Sequence, residues 1–162
     1  MNDKRYQSSC TVFQCQCVVL GGTYDYYSKI FKTVESYDHY LDKWSFLSDM
    51  QVARLEAGVV SKGNKLFVIC GHGLYYKFLE TCEVYDSISQ KFFFIKSNSK
   101  ILSSSNLFCT YFKENNFIVI YDNRYRFYNI DTNSWSEFNV FEFDKLYEYS
   151  CVELRKLIKL KF

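Results

Sequence analysis

The 162-residue sequence contains no proline, only two histidines and no long uninterrupted apolar run, and its formal net charge is only +2. Near-neutrality, with lysines and arginines scattered among acidic residues, leaves no basic stripe for a phosphate backbone, so nucleic acid is excluded as an expected partner. The apolar stretch from Cys10 to Leu20 is interrupted by Gln14 and Gln16, which fits neither a signal peptide nor a membrane span, so a cytoplasmic chain is expected. Missing too are GxSxG, HExxH and phosphate-loop patterns, and with them the marked routes to catalysis or a cofactor; the chain is expected not to be an enzyme. Seven cysteines are present, an odd number without a CxxC pair or nearby histidines, and they read as small buried apolar residues. Cys15 and Cys17 alternate on one face of a strand, but no second ligand pair exists to complete a metal site.

What the sequence has instead is aromatic and apolar material: 20% aromatic and 48% hydrophobic residues, enough for one globular core. Rich in Tyr and Phe, with short apolar runs separated by Gly, Asn, Asp and Ser, it predicts an all-β chain.

A unit recurs. Val18-Val19-Leu20-Gly21-Gly22 is an apolar run that ends in a tight turn, Glu35-Ser36-Tyr37-Asp38 opens a second strand, and a polar hairpin leads to Trp44, an indole large enough to hold neighbouring sheets together and expected to be buried between them. A second copy runs Lys65-Leu66-Phe67-Val68-Ile69-Cys70-Gly71, then Cys82-Glu83-Val84-Tyr85-Asp86, then Phe92, with a cysteine replacing one glycine. Tyr37 to Tyr85 and Trp44 to Phe92 are shifts of 48, and Gly22 to Gly71 is a shift of 49, a repeat period in the kelch range. Asn116-Phe117-Ile118-Val119-Ile120-Tyr121, Phe127-Tyr128-Asn129-Ile130-Asp131 and Trp135 form a third copy without the glycines.

On these residues the chain resembles the kelch-repeat family, in particular the propeller end of the kelch-like substrate adaptors of cullin-based ubiquitin ligases. The resemblance implies a β-propeller of about three four-stranded blades, near 18–50, 54–96 and 105–140. Residues 1–17 are then a lead-in and 155–162 a basic tail. It further implies that a C-terminal strand, 149–154, completes the first blade by pairing with Cys17 to Leu20. No room remains for BTB or BACK domains, so the chain resembles only the substrate-holding half of an adaptor. The expected function is protein binding, with an actin- or cytoskeleton-binding kelch protein, or a truncated remnant without activity of its own, as alternatives. Expected partners are a ubiquitination substrate or actin, with a homodimer or a BTB-kelch protein as an associate.

Two loops draw attention as binding elements. Tyr24, Asp25, Tyr26 and Tyr27 follow the first glycine turn, and His72, Tyr75 and Tyr76 follow the second; tyrosine gives rigid contact area plus a hydroxyl. The alternative is that the rings pack on an adjacent blade. Arg54 and Glu56 lie in the crossing between the first two units, a segment that faces the ligand in the family. There an arginine usually stands two residues before the next strand's glycine, where this chain has Glu56.

Overall fold

The computed structural model describes residues 1–25, 29–96, 107–112, 115–121, 124–137 and 139–140. Antiparallel pairing organises them into three sheets. In the first, β1 (Ser9–Phe13), β2 (Gln16–Leu20), β3 (Val34–Asp38) and β4 (Lys43–Phe46) pair in chain order. The second repeats this with β5 (Gly58–Lys62), β6 (Lys65–Ile69), β7 (Cys82–Asp86) and β8 (Lys91–Ile95). The third holds β9 (Leu107–Tyr111), β10 (Asn116–Tyr121) and β11 (Arg124–Asn129), and its outer position is shared by two short strands, β12 (Ser134–Trp135) and β13 (Asn139–Val140), both pairing with β11. The first strands of successive sheets, β1, β5 and β9, lie next to one another. This is the three-bladed, all-β architecture that the repeat implies.

Register explains why the repeat is spaced as it is. Residues directly opposite one another share a sheet face, so one row crosses the first sheet as Val12, Cys17, Tyr37 and Trp44. The same row in the second sheet is Ser61, Leu66, Tyr85 and Phe92, and in the third it is Tyr111, Phe117, Tyr128 and Trp135. Each recurring Tyr and its partner on the outer strand are thus cross-strand neighbours. Tyr85 and Phe92 are buried because Phe13, Val18, Leu20 and Val34 on the opposite face of the first sheet cover them; the rings of Phe13 and Tyr85 meet edge to face at 6.0 Å. One sheet along, Val60, Phe67, Ile69 and Cys82 cover Phe117, Val119 and Tyr128 in the same way, with Phe67 5.2 Å from Phe117. Each such side chain contributes about 1.5–3 kcal/mol by leaving water. Burial pushes the Tyr128 hydroxyl up to about 12, so at neutral pH it is a donor, and it bonds Asn133 Oδ1 at 2.6 Å.

Three expectations fail at the first sheet. The lead-in is no lead-in: Ser9–Phe13 is the strand that completes this blade. Its turn, Gln14-Cys15, has both residues at positive φ, 49° and 61°, a hairpin geometry normally marked by Asn or Gly. Since β1 fills one edge of Cys17 to Leu20 and β3 the other, that strand has no edge left for residues 149–154, which themselves lie outside the described residues. Trp44, anticipated as an enclosed inter-blade residue, is half-buried instead. Among the described residues its row faces no neighbouring sheet, and the indole rests on Tyr37 with ring centres 5.1 Å apart. Full enclosure would make Trp→Ala cost about 3–5 kcal/mol; at half burial Trp44→Ala is expected to cost about 1–2 kcal/mol in urea unfolding. A loss as large as the enclosed value would show that the indole is covered after all.

Candidate functional site

The segments that lead into the first two blades use the same residues for the same work. Arg5 and Arg54, 49 apart, each send a guanidinium into the blade they precede. Arg54 donates to the carbonyls of Cys70 (2.5 Å) and Thr81 (2.8 Å) and pairs with Glu83. Arg5 donates to the carbonyls of Gly21 (2.9 Å) and Thr33 (3.0 Å) and pairs with Glu35 at 2.8 Å. Side chains of all four ionised partners are wholly buried. The carboxylates also cap the incoming backbone: Glu83 accepts from the amides of Gln51 and Val52 at 2.6 and 3.1 Å, and Glu35 from those of Asn2 and Asp3 at 2.6 and 3.2 Å. Burial alone would raise the Glu35 carboxyl, but the hydrogen bonds from Asn2, Arg5 and Asp3 outweigh it and hold its pKa below the ordinary Glu value. Arg54 is therefore an internal latch whose donors are occupied, and it presents nothing to a ligand.

Beyond the latches, the chain emerges on the loop side of the blades. Gln7 and Glu56, again 49 apart, both adopt left-handed backbone, φ 53° and 50°. They meet: the Glu56 amide donates to the Gln7 carbonyl at 3.0 Å, and Gln7 Nε2 to Glu56 Oε1 at 3.0 Å. Gln7 also bonds the Tyr76 hydroxyl at 3.2 Å. His72 Nδ1 comes within 3.5 Å of Glu56 Oε2 and is buried without a hydrogen bond, while its imidazole meets Tyr76 and Phe78 edge to face at 6.1 and 5.9 Å. Leu55 and His72 exchange backbone bonds of 2.8 and 2.9 Å, which fixes the floor beneath them.

Next to this group lies a cleft of about 120 Å³ between the loops of the first and second blades. Its walls are Thr23, Ile30, Leu55 and the 73–76 turn. Tyr75 and Tyr76 hold that turn at φ 57° and 54°, conformations that cost of order 1–3 kcal/mol in a non-glycine residue and concentrate at functional sites. The result is display: Tyr75 is 93% exposed, and Leu74 and Tyr76 are about half exposed. Tyr24 is exposed on the facing loop, its amide donating to the Lys29 carbonyl, and the Asp25 carbonyl accepts from the Thr23 hydroxyl. Tyr26 and Tyr27 lie outside the described residues.

Of the residues singled out from the sequence, the structure brings Glu56, His72, Tyr75 and Tyr76 to one place, with Tyr24 and Asp25 on the loop opposite. It separates Arg54 from them by turning it inward. Ile30, Leu55 and Leu74 complete the cleft and Gln7 joins the group beside it; none of the four was anticipated. Running the 49-residue shift back from Glu56 into the first ten residues points to Gln7. The chemistry on offer is apolar and aromatic contact with one carboxylate and tyrosine hydroxyls at the edge, and among the described residues no group of His, Cys, Asp or Glu is placed to hold a metal.

Comparison with known proteins agrees with this architecture. Residues 4–51 match the Kelch motif, a span that takes in Arg5, β1 and the whole first sheet. An F-box/kelch-repeat protein of Arabidopsis thaliana is 36% identical over 64 residues, covering 40% of this chain but 17% of that protein. The chain thus carries a kelch motif over its first blade, and its two further sheets repeat that blade's strand order and register.

Proposed function

We propose that the chain is a protein-binding module that takes a segment of its partner in the cleft between the 23–30 and 73–77 loops. The observation that carries this reading is the turn Leu74-Tyr75-Tyr76. Two adjacent tyrosines in strained left-handed backbone, beside an apolar cleft, expose rings that a stability-driven fold would bury. Kelch repeats in general mediate protein contacts, and loops on a rigid scaffold are where binding residues concentrate. The finer reading is the substrate-holding part of a ubiquitin-ligase adaptor, supported by the resemblance to kelch-like adaptors and by a relative whose name joins an F-box to kelch repeats.

Tyr75→Ser with Tyr76→Ser should abolish capture of partner proteins by the immobilised chain while leaving the urea midpoint within about 0.5 kcal/mol of the parent, as exposed substitutions do. Retained capture would remove the cleft from the reading. Co-precipitation of a cullin through a BTB- or F-box-containing chain supports the adaptor role, and co-sedimentation with filamentous actin without one would overturn it in favour of a cytoskeletal role.

A further inference from the structure

We propose that Cys70 and Cys82 are a disulfide-forming pair, oxidised by hydrogen peroxide, whose bond closes the base of the loop that carries Leu74, Tyr75 and Tyr76. β6 ends at Ile69, which lies directly opposite Cys82, the first residue of β7. Cys70 follows in left-handed backbone at φ 53°, and its sulfur lies 3.9 Å from that of Cys82 across a separation of 12 residues. Both residues are wholly buried. The equivalent positions of the first blade, 49 and 48 residues earlier, are Gly21 and Val34. Glycine takes such a backbone without penalty; the second blade gives up that freedom and sets one thiol against another.

The geometry suits a bond. Cross-strand pairing puts the Cα of the residue after Ile69 about 6 Å from that of Cys82, inside the roughly 4.4–6.8 Å that disulfides span. The sulfurs themselves must close to about 2.05 Å. Peroxide, little larger than water, supplies the oxidation in two steps. In the first, one sulfur attacks peroxide; the O–O bond breaks, one oxygen stays on sulfur as a sulfenic acid, and the other leaves as water with the thiol proton. In the second, the other thiol attacks the sulfenic sulfur, the S–S bond forms, and a second water departs. Two thiols and one peroxide thus give one disulfide and two waters, the sulfurs losing the two electrons that the O–O bond takes up. The hydrogen bond with Cys82, and then burial, hold the Cys70 thiol above its ordinary pKa, so thiolate is scarce while the blade is closed. Reaction therefore waits on opening of the 71–81 loop, whose exposed residues place it at the less stable end of the blade, and Cys10, Cys15 and Cys17, which are exposed, react first. The bond forms whether or not the cleft takes a partner.

Peptide mapping reads the bond directly. The whole chain, in dilute solution, is incubated with hydrogen peroxide, denatured in acid, capped with an alkylating reagent and digested with trypsin without reductant. Cleavage after Lys65, Lys77 and Lys91 puts Cys70 on peptide 66–77 and Cys82 on peptide 78–91. The two are expected joined, two hydrogens lighter than their sum, and a thiol reductant should separate them. The urea midpoint of the oxidised chain should rise and return on reduction, as closing a loop in the unfolded chain requires. Cys70→Gly, which installs the residue of the first blade, should abolish both effects. Each protein is compared with itself before and after peroxide, so a variant of altered stability still gives the answer. Peptides 66–77 and 78–91 that remain separate after Cys10, Cys15 and Cys17 have been consumed overturn the proposal. Peptide 78–91 joined instead to 101–113, which carries the Cys109 packed in the same cluster, overturns it as well, and so does a joined pair whose midpoint fails to rise.

Discussion

Glu83→Ala is expected to destabilise the chain by about 3–5 kcal/mol, the range found when one member of a buried ion pair is removed. The substitution strands the Arg54 guanidinium in a fully buried position and at the same time leaves the amides of Gln51 and Val52 without their acceptor. Each unmet buried polar group costs about 1–3 kcal/mol, and total stabilities of 5–15 kcal/mol leave little margin. Urea denaturation is the suitable measurement, since an ionic denaturant would screen the interaction under study. The pair itself is a weaker source of stability than its removal suggests, because desolvating both ions offsets most of their attraction. Arg54→Met combined with Glu83→Leu should accordingly recover part of the single-variant loss. A cost below about 1 kcal/mol for Glu83→Ala would mean that water reaches the guanidinium.

Gly21→Ala should cost on the order of 3 kcal/mol, combining a left-handed backbone that alanine resists with overpacking of a closed space. Gly21 sits at φ +62°, and a Cβ there would lie 2.2 Å from the backbone carbonyl oxygen of Arg54. That oxygen cannot swing aside as a side chain could, because it already accepts from the Gly22 amide at 2.9 Å. The first blade and the latch segment of the second would have to separate. Loss of the urea midpoint is again the readout, and a variant as stable as the parent would show that the two backbones are not in contact. At the equivalent point of the second blade Cys70 holds φ +53° without being glycine. There the side chain is wholly buried against Cys82, with sulfurs 3.9 Å apart, and that burial compensates the conformation.

The three blades were legible because Tyr37, Tyr85 and Tyr128, with Trp44, Phe92 and Trp135 opposite them, must occupy one row of each sheet, and a row repeats at the period of the sheet. β1 was not legible for a local reason. The turn at Gln14-Cys15 uses two residues with no turn preference of their own, so Cys10 to Leu20 reads as one apolar stretch. The latch was hidden differently, since a single arginine and a single glutamate some thirty positions apart carry no pattern until a second pair appears at the same offset. Arg54 could be noticed, and its direction could not, because whether a guanidinium faces a ligand or a carboxylate is settled by the fold around it. In the third blade the place of Glu83 in its row is taken by Arg126, which lies over the Trp135 ring and donates to the Ser136 carbonyl at 2.6 Å. A reversal of charge at that site is one reason this unit looked so eroded.

The hairpin that supplies β1 from the N-terminal side also bears on how the protein is made. Were the first blade completed by a strand from the C-terminal end, its sheet would remain one strand short until translation finished, with an open edge exposed on the ribosome throughout. Here everything the blade needs, from Asn2 and Arg5 to Phe46, comes from its own first fifty residues. It can close as soon as that stretch clears the exit tunnel, and it then offers a finished surface on which the next blade condenses while the remainder is still being synthesised.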